Sequence, residues 1–220
     1  MSQDLATLLI KGLADTLYMI GASSAISFLF GLPLGVILSV TAPGGILMNR
    51  TLYSSLSLLV NVGRSVPFII LMVAIIPFTR LIAGTSIGTN AAIVPLSVSA
   101  IPFVGRVVET ALREIDDGII EAALAMGASP FEIIRKVLLP EALPSIISGL
   151  TLTVISLIGY SAMAGAIGGG GLGDIAIRYG YQRFMPDVML ATVIVLVLMV
   201  QLFQFAGDRL SGITRHDKKS

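Results

Sequence analysis

Few residues in this chain could do chemistry in an apolar setting, and the first is Arg64, in the context NVGRSVPF. It is the one charge in a stretch of 29 residues, 51–79. An arginine left at the centre of a membrane helix costs roughly 2.5–3.5 kcal/mol on insertion scales, so it needs a partner or a water-filled path. Two readings stand: a side chain snorkelling or bound to backbone carbonyls near the cytoplasmic side of a long second helix, or one facing a water-filled path beside Pro67, where the helix can kink. The second candidate is GAIGGGGLGD, Gly165 to Asp174, which contains G-x-G-x-x-G. That pattern cradles a dinucleotide only between a strand and a helix, and no G-x-x-x-x-G-K-[ST] occurs in the chain. Its glycines instead suit a close-packed loop or a docking surface. The only histidine is His216, near the end, and there is no cysteine. No catalytic residue and no metal ligand set is therefore expected, because a His or Cys cluster cannot be assembled. Asp and Glu are also absent from the apolar runs, against ion coupling through a buried carboxylate.

The elements that would hold these residues are membrane helices. The 220 residues are 55% hydrophobic and only 12% charged, with a mean hydropathy of +0.94. Net charge is +1, which gives no case for nucleic acid as a partner. Charge-free or nearly charge-free runs at 16–49, 51–79, 81–105, 142–173 and 188–207 can each supply the ~20 apolar residues that a span needs. An all-α, polytopic protein with five transmembrane helices is expected, near 17–41, 54–78, 88–107, 143–164 and 187–207, in a single domain over 1–220. Asp4 and Asp15 against Lys11 make a poor basic leader, so the first span reads as retained. Four basic residues (Lys11, Arg80, Arg178, Arg183) fall on the N-terminal side. Nine (Arg50, Arg106, Arg113, Arg135, Lys136, Arg209, Arg215, Lys218, Lys219) fall on the other. The positive-inside rule then puts the N-terminus outside and the C-terminus in the cytoplasm.

The loop at about 108–141 becomes the main cytoplasmic segment. Residues 116–140, DDGIIEAALAMGASPFEIIRKVLLP, resolve into two short helices. Asp116 and Asp117 complement the first helix N-terminus, and Gly127 is placed to end that helix in the left-handed conformation. Ser129, Pro130 and Glu132 then form a capping box with proline at N1, and the second helix is expected to stop before Pro140. Ala122, Ala123, Ala125 and Gly127 offer a small-residue knob to a partner. A plain amphipathic connector on the membrane surface is the alternative.

Glu121-Ala122-Ala123, Gly127 and Val137-x-Leu139-Pro140 resemble the EAA motif of ABC importer permeases, E-A-A-x3-G-x9-I-x-L-P, with Val137 in place of Ile. The segments 61–80, 84–88, 91–96, 135–144, 159–173 and 204–209 are similar to the methionine importer permease of bacterial ABC systems, over nearly the whole chain. The resemblance implies a type I ABC importer permease fold in the bacterial cytoplasmic membrane. It implies a homodimer, two cytoplasmic ABC ATPase subunits and an extracytoplasmic methionine-binding lipoprotein, with ATP and Mg bound by the ATPase and no cofactor in this chain. It also implies import of L-methionine and often D-methionine or derivatives, with the elbow (Glu121, Ala122, Ala123, Gly127, Ser129, Val137, Leu139, Pro140) as the ATPase-coupling element. For the translocation path the candidates are Arg64, Tyr160, Ser161 and Met163, whose plainer role is interhelical packing. Sister permeases for other small amino acids or sulfur compounds are the alternative in this class. An ion-coupled carrier, a channel or a membrane anchor are alternatives outside it.

Overall fold

A computed structural model describes residues 2–216, with side chains from 5 to 214. Lys218 and Lys219, counted above for orientation, lie outside the described residues, as do the side chains of Arg215 and His216. The described chain is helical: α1 (Ser2–Thr41), α2 (Arg50–Ser65), α3 (Phe68–Ala74), α4 (Ile76–Ala83), α5 (Thr89–Arg113) and α6 (Asp117–Ala125) come first. After them come α7 (Pro130–Ile133), a π-helical turn (Ile134–Leu138), α8 (Leu139–Ala166), α9 (Gly171–Ile175), a second π segment (Ala176–Tyr181) and α10 (Pro186–His216). Four of its helical stretches are long and apolar enough to cross a membrane, or five if the bent pair α2–α3 counts as one span.

That bend falls within the second expected span, 54–78, at the proline where a kink is one of the two readings. The axes of α2 and α3 differ by 101°. Pro67 has no N–H to continue the ladder, and its ring drives Val66 out of the helical region, to φ −81° and ψ 123°. The first span is also longer than expected, beginning well before residue 17, and Pro33 is absorbed within it. Pro95 and Pro102 sit inside an unbroken α5.

Lipid is the solvent this surface suits. Along α10, Leu190, Val197, Leu198, Leu202 and Phe205 stand exposed, and α2 exposes Leu58, Leu59 and Val62. Such area is a liability in water and neutral against hydrocarbon.

Packing between the two most closely apposed helices, α1 and α5, follows from a stripe on α1 repeating every four residues: Ser23, Ser27, Gly31, Gly35. At 3.6 residues per turn these line one face, and their size lets the α5 backbone come close. A Cβ on Gly31 would lie 2.6 Å from Val104 Cβ and 3.0 Å from the Ile101 carbonyl; one on Gly35 would lie 2.6 Å from the Gly105 carbonyl. The seam's apolar neighbours Val104 and Val108 are fully buried.

The bundle has two poles. At one, Thr16 of α1 meets Leu172 of α9, and the Gly88 N–H donates to the Gly168 carbonyl at 2.8 Å. At the other, Val40, Val108, Ile133 and Leu138 share a core, and Ser148 of α8 bonds Ser211 of α10 at 2.9 Å. The first and last described helices thus begin and end at opposite poles.

Candidate functional site: a capped elbow and an arginine cavity

The elbow is built from local code. The Asp116 carboxylate accepts the Gly118 N–H at 2.8 Å and starts α6. Gly127 ends it at φ 82°. The Gly127 N–H donates to the Leu124 carbonyl and the Ala128 N–H to the Ala123 carbonyl, at 2.9 and 3.1 Å, which is a Schellman closure. The capping box that follows, from Ser129 to Glu132, is complete. Ser129 Oγ accepts the Glu132 N–H, and the Glu132 carboxylate accepts the Ser129 N–H at 3.1 Å. Lys136 Nζ donates to Glu132 at 3.0 Å. The Lys136 bond first, then the Ser129 backbone and side-chain bonds, hold the Glu132 pKa down to about 2 from 4.5.

Two elbow expectations need correction. The second helix does not stop before Pro140: α7 runs through the π turn into α8. The Leu139 N–H reaches back five residues to the Ile134 carbonyl, and this wider turn carries the chain past a proline that cannot donate. The small-residue knob is also incomplete, because Ala123 is only 4% exposed and packs with Ile133 and Leu138. Glu121, Ala122, Gly127, Ser129 and Pro140 are exposed, while Val137 and Leu139 are half-buried against the same core. What the sequence reading missed is an apolar crest on the elbow: Leu124, Phe131 and above all Met126, 82% exposed. Their signal was present as large apolar residues at positions the helix period turns outward.

Between the elbow and α2 lies another missed group. The expected polar loop from residue 108 is helix as far as Arg113, and Glu109 is buried within it, 1% exposed. Arg106 pairs with Glu109 and also donates to Ser57 Oγ and Asn61 Oδ1 of α2, at 3.0 and 2.8 Å. One arginine thereby ties α2 to α5.

The path candidates separate. Arg64 and Tyr160 are brought together around a cavity of about 160 Å³ between α2, α5 and α8. Arg64 sits over the Phe103 ring at 5.5 Å, and Tyr160 stacks on Phe68 with centroids 4.7 Å apart. Ser161 is turned away, buried, with its hydroxyl donating to the Ile158 carbonyl at 2.7 Å. Met163 is exposed and does not line that cavity. The glycine run is close-packed: a side chain at Gly165 or Gly173 would collide with backbone across the loop.

Residues 31–216 match the family described as the binding-protein-dependent transport system inner membrane component. The chain belongs to this family. The permease is 56% identical over 203 residues to a probable D-methionine transport system permease protein of Vibrio cholerae, covering 92% of this chain and 90% of the relative. It is 56% identical over 165 residues to the D-methionine transport system permease protein of Escherichia coli, covering 75% and 76%. A solved structure of the MetNI methionine ABC transporter in an inward-facing conformation superposes with a TM-score of 0.95 at 54% identity, over 97% of this chain and 99% of that one. These likenesses make the permease a methionine ABC transporter permease, a multi-pass membrane subunit that is not itself an enzyme. A structure of an amino acid ABC transporter with histidines, TM-score 0.75 at 18% identity, shares the fold.

Proposed function

We propose that the permease works as a homodimer in the bacterial cytoplasmic membrane, each copy one transmembrane unit surrounded by lipid, importing L-methionine, D-methionine and derivatives at the expense of ATP. Two ABC ATPase subunits bind ATP and Mg in the cytoplasm, and a methionine-binding lipoprotein delivers substrate from outside. The elbow pole faces the cytoplasm, with the N-terminus outside and the C-terminus inside, as the basic residues favour.

The observation that carries this reading is the elbow's geometry. Glu121, Ala122, Gly127 and Ser129 stand exposed on two capped helices whose inner side is fastened to the bundle through Ala123, Val137 and Leu139. A surface that is open to a partner on one side and anchored on the other transmits displacement instead of absorbing it. Closure of the ATPase dimer pushes the elbow, and the unbroken rod from Pro130 to Ala166 carries that push toward the outer pole. Arg64 and Tyr160 line the path that opens and closes in response; Met163 lies further along the same helix. Residues 165–183 and 79–88 at the outer pole are the docking surfaces for the lipoprotein.

The test is gentle affinity purification of the tagged chain from native membranes. Recovery of a Walker-motif ATPase in equal amounts, lost in Gly127→Asp, supports the coupling elbow. A chain that purifies alone, or methionine uptake that survives Gly127→Asp, would overturn it.

A further inference from the structure

We infer that the cavity between α2, α5 and α8 is a subsite for a single zwitterionic α-amino acid, with Arg64 taking the carboxylate and the hydroxyl oxygens of Ser99, Thr153 and Ser156 taking the ammonium. The inference rests on the transport reading above and adds to it a recognition site within the permease itself.

Arg64 supplies the first half. Among the described residues no carboxylate lies within ion-pair distance of it, and its one recorded contact is the Phe103 ring face at 5.5 Å. An always-charged guanidinium in an apolar span, with its fork of donors unspent, matches a carboxylate bidentately. Its place in the last turn of α2 stabilises the cation until an anion arrives.

The three hydroxyls supply the second half through the direction of their protons. Ser99 donates to the Leu96 carbonyl at 2.9 Å, Thr153 to Gly149 at 2.9 Å and Ser156 to Leu152 at 2.9 Å. Each proton is committed to its own helix, so each oxygen presents lone pairs and is an acceptor. Donors at Arg64 facing acceptors on α5 and α8 make a dipolar cavity, complementary to an amino acid's two charges and to neither charge alone. The stacked Phe68–Tyr160 pair gives the side chain an apolar wall. A volume of about 160 Å³ exceeds the ~10–15 Å³ that one water needs and is too small for a peptide.

The experiment uses the assembled permease–ATPase complex in proteoliposomes and a diazirine-bearing methionine analogue. Photolabel is expected on the peptides carrying Phe103 and Tyr160. Excess methionine should remove it; methioninol, which lacks the carboxylate, and 4-(methylthio)butanoate, which lacks the ammonium, should not. Arg64→Gln should lower labelling at least tenfold and Arg64→Lys less. Ser156→Ala, a mild change on α8, should weaken competition by methionine without changing competition by the butanoate. Label outside this cavity, or equal competition by all three compounds, overturns the subsite. Absence of methionine uptake by the wild-type complex with its binding protein would instead overturn the transport reading, so the two failures are distinct.

Discussion

The hydroxyl of Thr16 accepts the N–H of Leu172 at 2.9 Å, a bond between residues 156 positions apart and buried at both ends. The same hydroxyl donates to the Gly12 carbonyl at 2.8 Å. Thr16→Val keeps the shape and leaves the Leu172 N–H without a partner, a cost of about 1–3 kcal/mol. Thermal unfolding of the purified complex should shift down by ~2–10 °C in Thr16→Val and much less in Thr16→Ser.

Gly35→Ala should be disproportionately harmful for a single methyl group. The obstacle is the Gly105 carbonyl, backbone that cannot rotate away, so α1 and α5 must separate at a cost of about 1–3 kcal/mol or more. Gly21, on the same helix, has nothing within 4 Å of an added Cβ. Gly21→Ala should accumulate in membranes like the wild type, and equal accumulation of both variants would contradict the close α1–α5 seam.

Glu109→Gln leaves Arg106 half-buried without its counter-charge. Breaking a buried pair from one side costs about 3–5 kcal/mol. Since Arg106 also holds Ser57 and Asn61, the loss should loosen α2 from α5. In a double-mutant cycle, Glu109→Gln combined with Arg106→Gln should destabilise less than the sum of the two single changes.

The capping box has a defined pH window. A carboxylate whose pKa falls to about 2 on folding contributes its stabilisation fully above the ordinary value of 4.5, and loses it as pH drops from 4.5 toward 2. Amide exchange at Ile133, corrected for intrinsic rate, should therefore show constant protection from pH 8 to 5. Ser129→Ala should reduce that protection across the whole range, by about 1 kcal/mol.

Local code was readable and tertiary choice was not. Asp116, Gly127, Ser129 and Glu132 announce their roles because a cap depends on residues within four positions of itself. The apolar runs gave the spans for the same reason: about twenty residues suffice to test each one. Ala123 and Glu109 could not be placed that way. Whether an alanine on α6 faces a partner or its own core depends on Ile133 and Leu138, ten and fifteen residues on. Glu109 looks like loop polarity until the helix that buries it is seen to run on to Arg113. At Arg64 and Tyr160 the residue types were informative, but their meeting depends on how α2 ends against α8, which no window of sequence contains.

The π-helical turn at Ile134–Leu138 holds one residue more than an α-helical turn would. Each residue of an α-helix advances the face by roughly 100°. The wider turn takes in that extra residue within one revolution, so the elbow and the rod above it stay in phase. Deleting a single residue there would leave the phase nearly unchanged but press a regular α-helical turn onto Pro140, which has no N–H to donate and whose ring crowds the carbonyl four residues back. The rod would then meet the elbow through a kink, and a push would bend that joint before it reached Thr153, Ser156 and Tyr160.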